Sequence, residues 1–128
     1  VVTTYKLDKY LRDCLNSVAE QRYADFECLV VDDAQQEATR RIVEEYSKTD
    51  QRFSYRATPH NLGLGGARNH GLEISRGRYI RHLDADDTLD PAALGLEADA
   101  LDADPAVHIV YGHQKRLDYL KHYGLLLI

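Results

Sequence analysis

Apolar and polar positions follow two different spacings along the chain, and the spacings alternate. Short apolar runs are typical of strands buried on both faces of a parallel sheet, while apolar residues three and four positions apart indicate helices. We predict strands at residues 1–4, 26–32, 52–57, 79–83 and 107–112. We predict helices between them at residues 7–21, 38–46, 67–75 and 91–102. The segment that begins at residue 113 is predicted as a helix or a loop.

This order of elements predicts an α/β fold. Alternating strands and helices imply a Rossmann-like, open, mostly parallel sheet with helices on both faces. Ligands of such sheets bind at the carboxyl ends of the strands. Asp32 and Asp33 follow the second predicted strand, and residues 84–87 follow the fourth. The sequence therefore predicts one acidic cleft at this edge of the sheet.

Three carboxylates lie within four positions in this cleft, at Asp84, Asp86 and Asp87. Residues two apart that leave a strand can point the same way, so Asp84 and Asp86 can share a site. Magnesium is held by one or two carboxylates together with phosphate oxygens and water. We therefore predict Mg²⁺ or Mn²⁺ that arrives with a diphosphate. A solvated loop is the alternative, and we prefer it for Asp90, which precedes Pro91 as a helix N-cap.

The segment Asn61–Gly71 is a glycine-rich loop that enters a helix. It fits neither the dinucleotide-binding fingerprint nor the P-loop. Arg68 stands in the first turn of the predicted helix, where a cation opposes the helix dipole. We therefore expect Arg68 to have an anionic partner, which is Asp33, Asp84 or a phosphate.

Composition narrows the class of protein. The 128 residues suffice for one domain, and a net charge of −5 without a basic block argues against nucleic-acid binding. Apolar runs stay shorter than a membrane-spanning helix requires. Cys14 and Cys28 lack metal-ligand spacing, so we interpret them as buried thiols of a reducing compartment. Both ends of the chain are apolar, and we expect a fragment of a larger protein.

Four segments, taken in order, resemble family 2 glycosyltransferases with the GT-A fold. They read TTY, QRYADFECLVVDDAQQEAT, NLGLGGARNHGLEISRGRYIRHLDADDTLDP and VYG, and the third is the specific one. The resemblance implies that residues 1–112 form a core that binds a nucleotide-diphospho-sugar. Residues 113–128 would begin the acceptor side or be a remnant.

The resemblance implies roles for seven residues. Asp84-Ala85-Asp86 matches the D-x-D motif, with Asp86 as the metal ligand. Asp84 would contact the ribose, or the metal through water, and Asp33 would pair with the base, usually uracil. The residues that would bind the nucleotide-sugar are Thr3, Tyr5, Asp33, Arg68, Asn69 and Asp84.

The resemblance also implies the reaction. A sugar would pass from a nucleotide-diphospho-sugar, with UDP expected, to a hydroxyl of a glycan, a lipid-linked or another acceptor, with inversion. The general base stays unassigned, since none of Asp99, Asp102, Asp104 and Asp118 has the expected context. We expect a cytoplasmic enzyme that is either free or at the inner face of the membrane. The basic HQKR patch would allow peripheral contact with the membrane.

Two departures from the family pattern leave alternatives open. Thr3 and Lys6 replace the usual proline and asparagine around the first strand end, and DDAQQE replaces D-D-G-S-x-D. A non-catalytic nucleotide-binding or regulatory module that has lost acceptor chemistry would show such changes. A nucleotidyltransferase would need a basic, glycine-rich loop after the first strand, and TTYKLDKYL has no glycine.

Overall fold

A computed structural model describes residues 1–114 of the chain. Strands and helices alternate through this part, as the sequence predicts. The strands are β1 (Val2–Thr4), β2 (Cys28–Asp32), β3 (Phe53–Ala57) and β4 (Leu83–Asp84). The helices are α1 (Asp8–Ala19), α2 (Glu37–Ser47), α3 (Gly63–Ile74) and α4 (Ala93–Ala103). The predicted segment 113–128 lies outside the described residues from position 115 onward.

The strands form one sheet in the order β3-β2-β1-β4, and each described pairing is parallel. β1 therefore lies at the centre, with Thr3 paired to Val31 on one side and to Asp84 on the other. The parallel pairings place the carboxyl ends of β1, β2 and β4 at one edge. The predicted open parallel α/β sheet is confirmed.

Helices cover both faces of the sheet. On one face, Val2 and Val30 pack with Leu11 and Leu15 of α1 and Val43 of α2 in a buried core. Burial of such aliphatic side chains stabilises the fold by about 1.5–3 kcal/mol each.

The opposite face of the sheet carries α3. The side chain of Val31 points away from that of Val30, because residues alternate along a strand. A Cβ at Gly71 of α3 would lie 3.2 Å from the Val31 Cγ2. The glycine therefore allows α3 to approach the sheet closely.

Two of the predicted strands differ from the structure. Residues 107–112 form no strand with any described residue, and Ile109 and Tyr111 are 82% and 89% exposed. This run makes no backbone pairing with a strand of the described residues, so the strand prediction is wrong for this part of the chain. The fourth strand is Leu83–Asp84, and residues 79–82 lie outside it.

The helix boundaries also differ from the predictions. α3 begins at Gly63 instead of residue 67, because tertiary contacts described below fix its start despite the low helix propensity of glycine. Asp90 does not cap α4 directly. Its carboxylate accepts the N–H of Ala92 at 2.9 Å, which forms a turn just before the helix begins at Ala93.

No helix within residues 1–114 is both long enough and apolar enough to cross a membrane. Cys14 and Cys28 are buried free thiols, as predicted.

Candidate functional site

A cavity of about 570 Å³ opens at the carboxyl ends of β1, β2 and β4, against the start of α3. Its walls carry three carboxylates together with apolar and hydroxyl side chains. Five of the seven predicted site residues line it: Thr3, Tyr5, Asp33, Asp84 and Asp86. The topology thus brings together residues that are far apart in the sequence.

Asp33 is 3% exposed and is held by the loop that precedes α3. Its Oδ1 accepts the hydroxyl of Thr58 at 2.8 Å and the backbone N–H of Leu62 at 2.8 Å. Both donors use the same carboxylate oxygen, so Oδ2 of Asp33 has no hydrogen-bond partner among the described residues. The second bond also fixes the residue before α3, which explains why the helix begins within the glycine-rich segment.

Asp32 has a different role from that of Asp33. Its carboxylate is fully buried and accepts the N–H groups of Ala34 at 2.9 Å and Gln36 at 2.7 Å. The hydroxyl of Tyr55 donates to the same carboxylate at 3.0 Å. Asp32 therefore organises the turn before α2 and does not line the cavity. The sequence predicts both acids in the cleft, but only Asp33 lines the cavity, while Asp32 has a structural role.

Asp84 is the partner of Arg68. The Arg68 Nη2 lies 2.8 Å from Oδ1 and 3.0 Å from Oδ2 of Asp84, and the Thr3 hydroxyl donates to Oδ1 at 3.1 Å. Of the three anionic partners that the sequence left open for Arg68, the structure pairs it with Asp84. Charge-assisted bonds of this kind are stronger than neutral ones.

Asp86 and Asp87 follow on a turn after β4. Both are exposed, and Asp86 lines the cavity. The pKa of Asp87 is raised, first by desolvation and then by the charges of Asp86 and Asp84. Negative charge therefore accumulates on this turn, although Arg68 balances part of it at Asp84.

The residues present fit a divalent cation whose remaining ligands come from a bound diphosphate and water. Within residues 1–114, no group of three or more His, Cys, Asp or Glu side chains could hold a metal ion without other ligands. Asp86 offers an exposed carboxylate, and both oxygens of Asp84 already accept from Arg68. One or two carboxylates suffice for magnesium when a diphosphate completes the ligand shell.

Tyr5 and Leu64 form an apolar rim on this cavity, 48% and 55% exposed. Leu64 and Asn61 both line the cavity and were not predicted as site residues, although both belong to the glycine-rich segment Asn61–Gly71. Asn69 is exposed on α3 and does not line the cavity. The structure therefore does not bring Asn69 together with the other predicted residues.

Among residues 1–114, two residues other than glycine have a left-handed backbone, and both follow the strands that end at the cavity. Lys6 has a φ of 56° and Gln35 a φ of 49°. The usual asparagine at the first position tolerates this conformation better than lysine does. Both departures from the family pattern thus lie where the backbone leaves a central strand.

A second cavity of about 570 Å³ lies at the other end of β4. Its lining combines apolar side chains such as Val2, Leu83 and Leu94 with charged side chains such as Arg78 and Arg81. The acidic residues of the first cavity are absent from its lining. The carboxylates that line the second cavity are Asp25, Glu27 and Glu97; Glu27 pairs with Arg76 at 2.8 Å and Glu97 with Arg81 at 3.1 Å.

Solved structures identify the class of fold. A crystal structure of S. aureus TarS 1-349 in complex with UDP-GlcNAc is 32% identical, with a TM-score of 0.73, over 80% of this chain and 30% of that one. The mannosyltransferase PcManGT from Pyrobaculum calidifontis, in complex with GDP-Man and Mn²⁺, is 26% identical, with a TM-score of 0.72, over 83% of this chain and 32% of that one. The chain has the GT-A fold of such glycosyltransferases.

The family model described as Glycosyl transferase family 2 matches residues 1–127, and the chain belongs to this family. Glycosyltransferase GlyA of Streptococcus pneumoniae is 38% identical over 90 residues, which are 70% of this chain and 13% of that protein. The chain spans 26%, 13% and 34% of the lengths of three curated relatives that it matches. The expected resemblance is confirmed at the level of family and fold.

Proposed function

We propose that residues 1–112 form the donor-binding part of an enzyme that transfers a sugar from a UDP-sugar to an acceptor hydroxyl, with a divalent metal and with inversion. The observation that carries the proposal is the convergence of Asp33, Asp84 and Asp86 on one cavity at the carboxyl ends of parallel strands. The TarS structure, which contains UDP-GlcNAc, supports the choice of nucleotide.

Asp33 would read the base. Its Oδ1 is occupied by two donors, so the other oxygen is left to accept a base N–H. Uracil offers such a donor at N3. Tyr5 would cover the face of the base, because an exposed aromatic ring beside a cavity gains free energy when a flat ligand buries it.

Asp84, Arg68 and Asp86 would bind the ribose and diphosphate side of the donor. Asp86 would hold Mg²⁺ or Mn²⁺, and the ion would stabilise the charge that grows on the leaving diphosphate. Arg68 already balances the charge of Asp84 at 2.8 Å, which lowers the repulsion that a diphosphate meets here. Asn69 is exposed on α3, so its contact with the nucleotide would be made outside the cavity.

The acceptor hydroxyl must lose a proton during the transfer. Asp99, Asp102 and Asp104 do not line the acidic cavity. Asp102 instead accepts from Arg78 at 3.0 Å on the surface. Asp118 lies outside the described residues. We propose that the base comes from outside residues 1–114 and that the acceptor is a glycan or a lipid-linked hydroxyl, the latter at the inner face of the membrane.

Calorimetric titration with UDP and GDP, each with and without Mn²⁺, tests this proposal. We expect Mn²⁺-dependent binding of UDP that is lost in Asp86→Ala. Asp13→Ala is the matched control, because Asp13 is exposed on α1 away from the cavity. Equal UDP binding by Asp86→Ala and the parent chain in Mn²⁺ would refute the metal role. Absence of binding to either nucleotide would mean that the fold has no working donor site, which favours a non-catalytic regulatory module.

A further inference from the structure

Thr3 and Asp84 are direct neighbours in the sheet. They are paired in the parallel register of β1 and β4, so their side chains lie on the same face. Thr3 is 3% exposed, and its Oγ1 donates to the Asp84 Oδ1 at 3.1 Å. The backbone supports the same pair, since the Ala85 N–H donates to the Thr3 carbonyl at 3.0 Å. The threonine hydroxyl is therefore rigidly aimed at one carboxylate oxygen.

Arg68 cannot fix the orientation of this carboxylate by itself. It contacts both Asp84 oxygens through one nitrogen, Nη2, at 2.8 and 3.0 Å. The guanidinium thus does not use the two-nitrogen fork that sets the plane of a carboxylate. Its Nε is buried without a hydrogen-bond partner among residues 1–114. A contact through one nitrogen sets the position of the carboxylate and leaves its rotation open.

We propose that Thr3 is a positioning residue for the donor site. Its hydroxyl makes the two Asp84 oxygens inequivalent, because Oδ1 accepts from both Thr3 and Arg68, whereas Oδ2 accepts from Arg68 alone and would be left to face a nucleotide. Asp84 can then accept from a ribose hydroxyl, or from water on the metal, without reorienting. This inference rests on the proposed function and adds that Thr3 acts through Asp84 instead of through the base.

Thr3→Val tests this role, since valine has nearly the same shape and no hydroxyl. A hydrogen bond to a charged group contributes enough to change affinity by about tenfold or more. We expect Thr3→Val to weaken binding of UDP in the presence of Mn²⁺ by this factor. Thr3→Ser keeps the hydroxyl and should restore the affinity.

A double-mutant cycle separates positioning from simple support of the fold. If Thr3 acts through Asp84, the loss caused by Thr3→Val should disappear in an Asp84→Ala background, which has no carboxylate or amide for the hydroxyl to orient. Thr39→Val is the matched fold control, because the Thr39 hydroxyl is equally buried, lies on α2 and has no described hydrogen-bond partner. Its UDP affinity should equal that of the parent chain.

Three results would overturn the inference. Unchanged UDP affinity in Thr3→Val would show that the hydroxyl is not needed, and failure of Thr3→Ser to restore affinity would point to side-chain shape. The same loss in the Asp84→Ala background would show that Thr3 does not act through Asp84. Absence of UDP binding to the parent chain is a separate result, which removes the proposed function and this inference with it.

Discussion

Asparagine in place of Asp32 should lower the free energy of unfolding by about 3 kcal/mol. The Asp32 carboxylate accepts the N–H groups of Ala34 and Gln36 at 2.9 and 2.7 Å and the Tyr55 hydroxyl at 3.0 Å, and it is fully buried. An asparagine side chain has one acceptor oxygen and places an NH₂ group where the second oxygen stood. At least one backbone N–H then faces another donor.

The magnitude follows from these contacts. A hydrogen bond to a charged acceptor contributes about 1.5–3 kcal/mol, and a buried donor left without a partner costs about 1–3 kcal/mol. A loss of about 3 kcal/mol is a large part of the 5–15 kcal/mol that stabilises a typical domain. It corresponds to a decrease of roughly 10 °C in the thermal midpoint for a domain of this size.

Urea unfolding followed by circular dichroism measures the change, and Asp33→Asn is the matched control. The Asp33 Oδ1 accepts from both Thr58 and Leu62, and asparagine keeps that oxygen. Asp33→Asn should therefore unfold within about 1 kcal/mol of the parent chain, while its UDP affinity falls because an NH₂ group replaces Oδ2. A loss below about 1 kcal/mol in Asp32→Asn, or an equal loss in both variants, would refute the reasoning.

Three further predictions concern the fold. Lys6→Asn should add about 0.5–1 kcal/mol to stability, because φ is 56° there, and a lower urea midpoint would contradict this. Gly65→Ala should raise the thermal midpoint, because a Cβ at Gly65 meets nothing within 4 Å. Gly66→Ala should lower it, because a Cβ there would lie 2.6 Å from a side-chain carbon. The reverse order of the two midpoints would contradict the packing. Burial raises the pKa of Cys14 and Cys28 to about 12, so above about pH 9 the unfolded chain binds fewer protons than the native one. The urea midpoint should fall from about pH 8 to about pH 10, and less so in Cys14→Ala.

The central sheet was predictable because its strands carry their own signal. Cys28–Asp32 is a continuous buried run, and the alternation with amphipathic helices specifies parallel neighbours. The edge of the sheet was not predictable in this way. Residues 107–112 have the same apolar character, yet a strand forms only where it pairs with another strand, and this run pairs with none in the described part of the chain. An apolar pattern indicates that a segment can form a strand, but the topology of the whole fold determines whether another strand pairs with it.

The start of α3 shows a second limit of sequence reasoning. Glycines at positions 63, 65 and 66 favour a loop by propensity, whereas the structure begins the helix at Gly63. The Asp33 carboxylate, which binds the Leu62 N–H at 2.8 Å, lies 29 positions away in the chain. A long-range contact of this kind leaves no local pattern. Leu64 lies in the first turn of this helix, on the rim of the acidic cavity. Its place at the site therefore could not be predicted from local sequence.

The acidic cluster was predictable, but the division of labour within it was not. Five aspartates end or follow β2 and β4, and only geometry shows that Asp32 faces the backbone and Asp33 the cavity. At β4, Arg68 takes up the charge of Asp84, while Asp86 keeps an exposed carboxylate. A bound cation would therefore meet one balanced and one unbalanced carboxylate. This asymmetry explains how adjacent acids tolerate one another before a ligand arrives, and it assigns the orienting contacts to Thr3 and Arg68.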